Sequence, residues 1–369
     1  KLNTDPIALR MKNYAERDPG ADKPVSSKHL RECYEQGAQR FGWRNPKPAS
    51  MREGDMLIGY GMATATYPAN RSAAMATVRI HPDGSAYAGS GSQDLGTGTY
   101  SIMAQTAAAI LGIDVMKIEA RLGDSRLPKA PVSGGSQTAA SVCPAIVEAA
   151  TQAKLKVVQM AIADTRSPLH GALPDDFAAK GGVLSLKSDP SKSETYAAIL
   201  ARNGGKAVEA TGEAEPGMDH TSLSTHSWGA VFAEVAVDPY VRMMQVRRVT
   251  AVYDIGTLMN DKTGLNQLVG GIVWGISLAL LEESHIDPRY GRTVNNNLAE
   301  YHVPVNADIG EIDVSALNIP DTRFNQPLGA RGIGEIGITG AGAAVANAVY
   351  HATGKRVRDL PITLDKLLV

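Results

Sequence analysis

Ala76-Thr77-Val78-Arg79-Ile80-His81-Pro82-Asp83-Gly84-Ser85-Ala86-Tyr87-Ala88 is the stretch whose reading decides the fold class. Ala76 to Ile80 and Ser85 to Ala88 flank His81-Pro82-Asp83-Gly84, which combines the turn residues expected between antiparallel strands. A Gly-rich loop follows from Gly89 to Gly98, and Thr99 is placed to cap a helix that ends near Gly112.

Working outward, the same order returns later in the chain. Ala230 to Val237 and Val241 to Tyr253 read as strands around Asp238-Pro239-Tyr240, and a loop to Asn266 leads into a helix from Gln267 to Glu282. Two strand-turn-strand-loop-helix units predict an α+β fold of duplicated two-layer α/β lobes with mixed sheets. Between them lie a long helix, Ser141 to Ala163, and a polar crossover containing Pro168, Pro174, Gly181 and Gly182. Ahead of them, the charged, helix-patterned start of the chain exits through Asn45-Pro46-Lys47-Pro48. The expected divisions are a helical lead-in over 1–55, a first lobe over 56–220 and a second over 221–369.

Composition narrows the function classes. At 369 residues the chain has room for about two domains of ordinary size. With 37 basic against 38 acidic side chains, nothing electrostatic suggests nucleic acid or an acidic membrane as partner. The longest apolar run, Leu268 to Leu281, is interrupted by Gly270, Gly271 and Gly275 and is shorter than a membrane span, so a buried core helix is expected there. Cys33 and Cys143, the two cysteines, form no disulfide framework and no metal cage, and read as core residues. The eight histidines show no zinc-ligand spacing, and there is no nucleophile elbow of a serine hydrolase. Opening at Lys1, without an apolar signal run, the chain reads as a fragment.

Three small-residue loops carry the candidate chemistry. In Gly329-Ala330-Arg331-Gly332-Ile333-Gly334-Glu335, glycines frame one carboxylate ahead of an Ala-rich run, a setting for a partly sheltered general base. Gly332, Gly334 and Gly337 also match a dinucleotide-binding turn, so a nicotinamide dehydrogenase is the first rival. The polar, Pro-bounded stretch Pro320 to Pro327 stands where the fingerprint needs a strand, and Glu335 would place a charge against the pyrophosphate. The second loop, Gly89 to Gly98, lacks the Lys of a P-loop, yet its glycines ahead of a helix suit a phosphate or polar heterocycle. The third, Ser133 to Ser141, is hydroxyl-rich and precedes the long helix, while Gln267 offers a neutral amide that can donate to and accept from a heterocycle.

Together, Gly91-Ser92-Gln93-Asp94-Leu95-Gly96-Thr97-Gly98, Thr138-Ala139-Ala140-Ser141, Gln267 and Gly329 to Glu335, in this order and spacing, resemble the molybdenum-binding subunit of the xanthine dehydrogenase/aldehyde oxidase family. Asn297 to Pro304 and Arg358 to Thr363 look most like its bacterial aldehyde oxidoreductase branch, and the chain covers about the C-terminal half of that subunit. The resemblance implies the fold of a molybdenum cofactor-binding domain. It implies that Gln93, Leu95, Gly96, Thr97, Thr138, Ala139, Ala140, Ser141 and Gln267 bind molybdopterin in its cytosine dinucleotide form, with molybdenum held by the cofactor and by no protein ligand. Glu335 would be the general base in oxidising aldehydes to carboxylic acids with water as oxygen source. Iron-sulfur clusters and FAD are expected on partner chains, alongside the N-terminal half of the molybdenum subunit, in the cytoplasm or, by co-export with a partner, the periplasm. A non-catalytic interaction domain derived from the family is the remaining alternative, because the family's Gly/Phe-rich cofactor loop has no counterpart before Asp5.

Overall fold

The structure, a computed structural model, describes residues 2, 4–45, 47–217 and 221–368; Lys1, Pro46 and the expected boundary at residue 220 lie outside them. In chain order its main elements are α1 (Pro6–Lys12), α2 (Leu30–Phe41), β1 (Arg52–Glu53), β2 (Met56–Pro68), β3 (Ala74–Ile80), β4 (Ala86–Gly89), α3 (Thr99–Leu111), β5 (Ile118–Arg121), α4 (Thr138–Ala163), α5 (Tyr196–Arg202), β6 (Val208–Ala214), β7 (His226–Val237), β8 (Met244–Asp254), α6 (Asp261–Leu280), β9 (Glu311–Ala316) and α7 (Ala341–Thr353). They form two compact units, the first from Lys1–Ala69, Thr221–Pro320 and Gly332–Val369, the second from Asn70–His220 and Asp321–Arg331.

The first unit is a five-stranded sheet in the order β9-β8-β7-β2-β1. It is antiparallel except that β9 runs parallel to β8. Side chains alternate across β2, so Ile58, Tyr60 and Met62 join Tyr34 and Phe41 of α2 on one face. Leu57, Ala63 and Ala65 join Ile272 and Ile276 of α6 and Val345 and Ala348 of α7 on the other. Gly59 and Gly61 point toward α7, where a β carbon would come within 2.0 Å of the Ala348 carbonyl oxygen and 2.1 Å of that of Ala344. Any larger residue would push helix and sheet apart.

The second unit is a four-stranded sheet in the order β6-β3-β4-β5, with β4 and β5 parallel. Val78 and Ile80 of the sheet, Met103 and Leu111 of α3, and Val142, Ile146 and Val157 of α4 share one apolar core. A short three-stranded sheet, Phe177–Lys180, Val183–Leu186 and Ser193–Thr195, belongs to the same unit.

The hairpin read from the sequence is present, with Thr77 opposite Gly89 and Ile80 opposite Ala86. Its helix ends at Gly112, whose φ of 64° is left-handed. The second hairpin is β7 and β8, paired around the Asp238 turn. The α+β class with mixed sheets is therefore what the chain forms. The divisions are drawn differently. Residues 56–68 were expected with the first lobe, but β2 pairs along its length with β7, from Pro68 opposite His226 to Leu57 opposite Val237. The lead-in is no separate segment either, because α2 supplies core to the same sheet. The helix expected to be buried is α6, and it is so on one side only. Leu268, Ile272 and Ile276 are buried while Trp274 and Leu278 are 62% and 46% exposed. Among the described residues α6 alone is long and apolar enough to cross a membrane, a test that core helices also pass.

Candidate functional site

In the first unit, Glu335 lies in an irregular segment between Gly332 and the start of α7. That segment is seated on α6. A β carbon on Gly271 would lie 2.6 Å from the Gly337 α carbon, and one on Gly337 would lie 2.7 Å from the Leu268 carbonyl oxygen. Ile333 reaches the same helix beside Gly264. Gln267 stands three residues after Gly264 and four before Gly271, hence on the helix face that meets this segment. The structure thus brings the half-buried Gln267 and the Glu335 segment to one face of α6.

The sheet grips the segment from another side. The Ser227 hydroxyl donates to the Gly332 carbonyl at 3.1 Å. Tyr67 lies directly across the ladder from Ser227, on the same face of the sheet. Burial, and then the influence of the Glu335 carboxylate, push the Tyr67 hydroxyl up to about 12, so it remains neutral at ordinary pH. Glu335 itself is half-buried, sheltered but reachable.

In the second unit, the two hydroxyl- and glycine-rich loops are tied together. Gln93 accepts from the Ser133 amide at 2.9 Å. Asp94 folds the turn behind it, accepting from the amides of Gly96 at 2.6 Å and Thr97 at 3.1 Å. Gly96 and Gly98, with φ of 88° and 82°, adopt a backbone that other residues resist. Gln93, Leu95 and Gly96 are exposed and Thr97 is half-buried. Thr138 donates to the Ser133 hydroxyl at 3.1 Å. Thr138 and Ala139 are half-buried, whereas Ala140 and Ser141 are wholly enclosed. The Ser141 hydroxyl accepts from the Ser72 amide at 3.0 Å, so it braces the loop from within.

A fit for a polar, phosphate-bearing heterocycle rests on donors left over in this unit. Asn70 and Ser72 are bound to Gly135, Gln137 and Ser141, which holds Arg71 between them at the head of α4. Arg71 donates from Nη1 to the Phe324 carbonyl at 3.2 Å, but its Nε is shut from solvent with no hydrogen-bond partner among the described residues. Burial holds its guanidinium below its usual value. The Ser92 hydroxyl is likewise enclosed and unpartnered. Such groups are costly unless something polar meets them, and a ligand at these loops would do so. Among the described residues no group of three or more His, Cys, Asp or Glu side chains is placed to hold a metal ion.

The geometry upholds some readings and adds residues to others. No strand enters Gly332, since β9 ends at Ala316, and α7 begins only at Ala341, so the three glycines lack the strand-turn-helix setting of a dinucleotide site. Cys143 is enclosed and its thiol is pushed up to about 12 by burial, which makes it a packing residue; Cys33 is equally buried. Tyr67, Ser227 and Arg71 escaped the sequence reading because their partners lie far off in the chain. So did the pair of Asp321 and Arg331, both buried and 3.7 Å apart, which closes the segment between them. Strand alternation is the one available signal, for it places Tyr67 on the face of β2 that carries Gly59 and Gly61.

Comparisons with known proteins show the family and the fold. The sequence is 36% identical over 377 residues to the aldehyde oxidoreductase molybdenum-binding subunit PaoC of Escherichia coli O157:H7, covering 100% of this chain and 48% of that protein. It is 28% identical over 382 residues to the putative xanthine dehydrogenase molybdenum-binding subunit XdhA of Escherichia coli strain K12, covering 99% of this chain and 49% of that one. The chain therefore spans about half the length of the curated relatives it matches. Its fold is that of quinoline 2-oxidoreductase from Pseudomonas putida 86, with a TM-score of 0.85 at 22% identity over 100% of this chain and 49% of that one. The aldehyde oxidoreductase of Desulfovibrio gigas superposes with a TM-score of 0.78 at 24% identity over 100% of this chain and 38% of that one. The sequence model of the molybdopterin cofactor-binding domain matches residues 36–310, most of both units, and the chain belongs to that family.

Proposed function

We propose that this chain supplies the cofactor-holding and proton-accepting parts of a molybdenum hydroxylase that oxidises aldehydes to carboxylic acids, with water as the oxygen source. The observation that carries the reading is Glu335, a half-buried carboxylate on a glycine-seated segment set against the helix face that bears Gln267. Similarity to an aldehyde oxidoreductase subunit favours aldehydes over purines.

Molybdopterin, here in its cytosine dinucleotide form, supplies the two-electron redox chemistry when bound. The chain's residues do the rest. Gln93, Leu95, Gly96, Thr97, Thr138 and Ala139 present side chains and backbone to it, Ala140 and Ser141 form the enclosed base beneath them, and Gln267 offers its amide. Glu335 accepts at a carboxylate oxygen the proton released as water-derived oxygen attacks the aldehyde carbon. Half-burial suits that task, since it keeps bulk water from solvating the carboxylate fully while leaving room for a substrate. The electrons pass to partner chains carrying iron-sulfur clusters and FAD, and a segment matching the other half of the relatives completes the subunit.

The test is Glu335→Gln in the full-length protein within its complex. Turnover is expected to fall by about three orders of magnitude or more with molybdenum and pterin content unchanged, because the amide keeps the shape and loses the base. A fully loaded variant turning over at the normal rate would sink the assignment.

A further inference from the structure

α6 carries Gly270, Gly271 and Gly275 in its middle, and two of them are accounted for within the unit. Gly271 lets the Gly337 backbone approach and Gly275 faces Ala341 of α7, with added β carbons 2.6 Å and 2.4 Å from those neighbours. Gly270 is different. It is exposed, and beyond its own helix nothing among the described residues lies within 4 Å of a β carbon built there. Glycine inside a helix costs stability against almost any other residue, so on an open face it points to a close approach from elsewhere.

The face itself is unlike a solvated one. Asn266, Gly270, Trp274 and Leu278, each four residues from the next, form the exposed stripe of the helix, and from Thr263 to Leu281 no residue carries a charge. A helix turned to water carries charged and polar side chains on its outer face. Here that face offers an indole and a leucine, the composition of a permanent interface rather than of an exchanging one. The stripe also borders the candidate site, since Asn266 adjoins Gln267 and Gln267 is only half-buried. A cover laid along the stripe runs past that amide.

We propose that the uncharged stripe of α6 is the seat of a segment of the same polypeptide, drawn from the part that matches the other half of the relatives. Trp274 is its buried anchor and Gly270 the point of closest backbone approach. This rests on the reading of the chain as one part of a longer molybdenum subunit. The relatives supply the length of chain needed, because this chain spans 48% of one and 49% of another. A tethered segment meets the stripe at high effective concentration and is never released from it, so the face has no need of the charges that keep a free surface soluble.

Photo-crosslinking of the full-length protein in its complex, with p-benzoylphenylalanine in place of Leu278, identifies the occupant. The expected crosslink joins that position to a peptide of the same polypeptide outside these 369 residues. A crosslink to a separate partner chain, to a second copy, or only within these residues would overturn the proposal. Hydroxyl-radical labelling of the unmodified complex reads coverage directly. Trp274 should be oxidised at least about 10-fold more slowly than in the same tryptic peptide free in solution, whereas a rate within about twofold of the free peptide would leave no cover to explain. Gly270→Leu adds a test of sign. Leucine is the better helix former, so on a free face the change raises the melting temperature, while under a closely packed segment it lowers it by about 3 °C or more. A rise or no shift would overturn the close approach. The intact mass of the subunit separates two failures. A subunit no longer than this chain removes the longer-subunit reading, whereas a longer one whose extra segment never crosslinks to position 278 removes the docking alone.

Discussion

The Glu335 segment of the first unit and the loops at the heads of α3 and α4 in the second are both irregular, glycine-rich and rigidly placed, yet by different means. The first is held by steric seating. Gly271 meets Gly337, and Gly61 lets α7 lie on the sheet, so backbone touches backbone with no space for a β carbon. The second is held by side-chain hydrogen bonds and buried charge. Gln93 reaches Ser133, Ser72 is bound to Ser141 and Gln137, and Asp321 faces Arg331 in the interior. The seated segment is the one that an added methyl disturbs most, and the hydrogen-bonded loops are the ones that a lost polar group disturbs most. The difference suits the proposed tasks, since a base must sit in one place while ligand-holding loops must offer many donors.

The largest expected effect follows from the second arrangement. Asp321→Ala leaves Arg331, whose side chain is fully enclosed, without its facing carboxylate. Removing one partner of a buried pair costs about 3–5 kcal/mol, because the remaining charge cannot reach water. Urea unfolding should show a correspondingly lower midpoint. A loss below about 1 kcal/mol, typical of surface pairs, would mean that the segment 321–331 is not anchored by charge.

Gly271→Ala is the matching change in the first unit. Its added carbon would fall 2.6 Å from the Gly337 α carbon, so α6 or the Glu335 segment must move. Overpacking of this kind costs about 1–3 kcal/mol. Turnover should fall further than stability, since a displacement near 1 Å at a catalytic group can cost about 100-fold in rate. Normal kcat in Gly271→Ala would show that the segment is not seated on the helix in the working enzyme.

How much of this could be read from the chain depends on sequence distance. The hairpin Ala76 to Ala88, the caps at Gly112 and the strands around Asp238 were legible because turn and cap chemistry is local. The pairing of β2 with β7 was not, because register between strands far apart in sequence is set by packing that no window contains. The three site loops were visible as glycine and hydroxyl clusters, and Glu335 as the carboxylate among them. Which hydroxyls face outward was hidden, so Ser141 looked like Thr138 although one is enclosed and the other half-exposed. Tyr67 carried no mark beyond the alternation of its strand.

The smallest expected effect lies in the second unit, where charge again does the holding but the cations can reach water. Asp164 receives the guanidiniums of Arg166 and Arg202, which hold its carboxyl well below the usual range, and Arg202 does the same to Glu194. Depressed carboxylate values in the folded state mean that the stabilisation is present above the unfolded value, about pH 4, and is lost as pH falls through the lower folded values. Unlike Arg331, Arg202 and Arg166 have side chains 25% and 67% exposed, so neutralising Asp164 strands no buried charge. Asp164→Asn should therefore lower the urea midpoint at pH 7 less than either change above. It should also shrink the further drop that wild type shows between pH 5 and pH 2, since the carboxylate whose protonation produces part of that drop is gone. If the variant matched Asp321→Ala at neutral pH, exposure of the partner cation would not be what separates a costly ion pair from a cheap one in this unit.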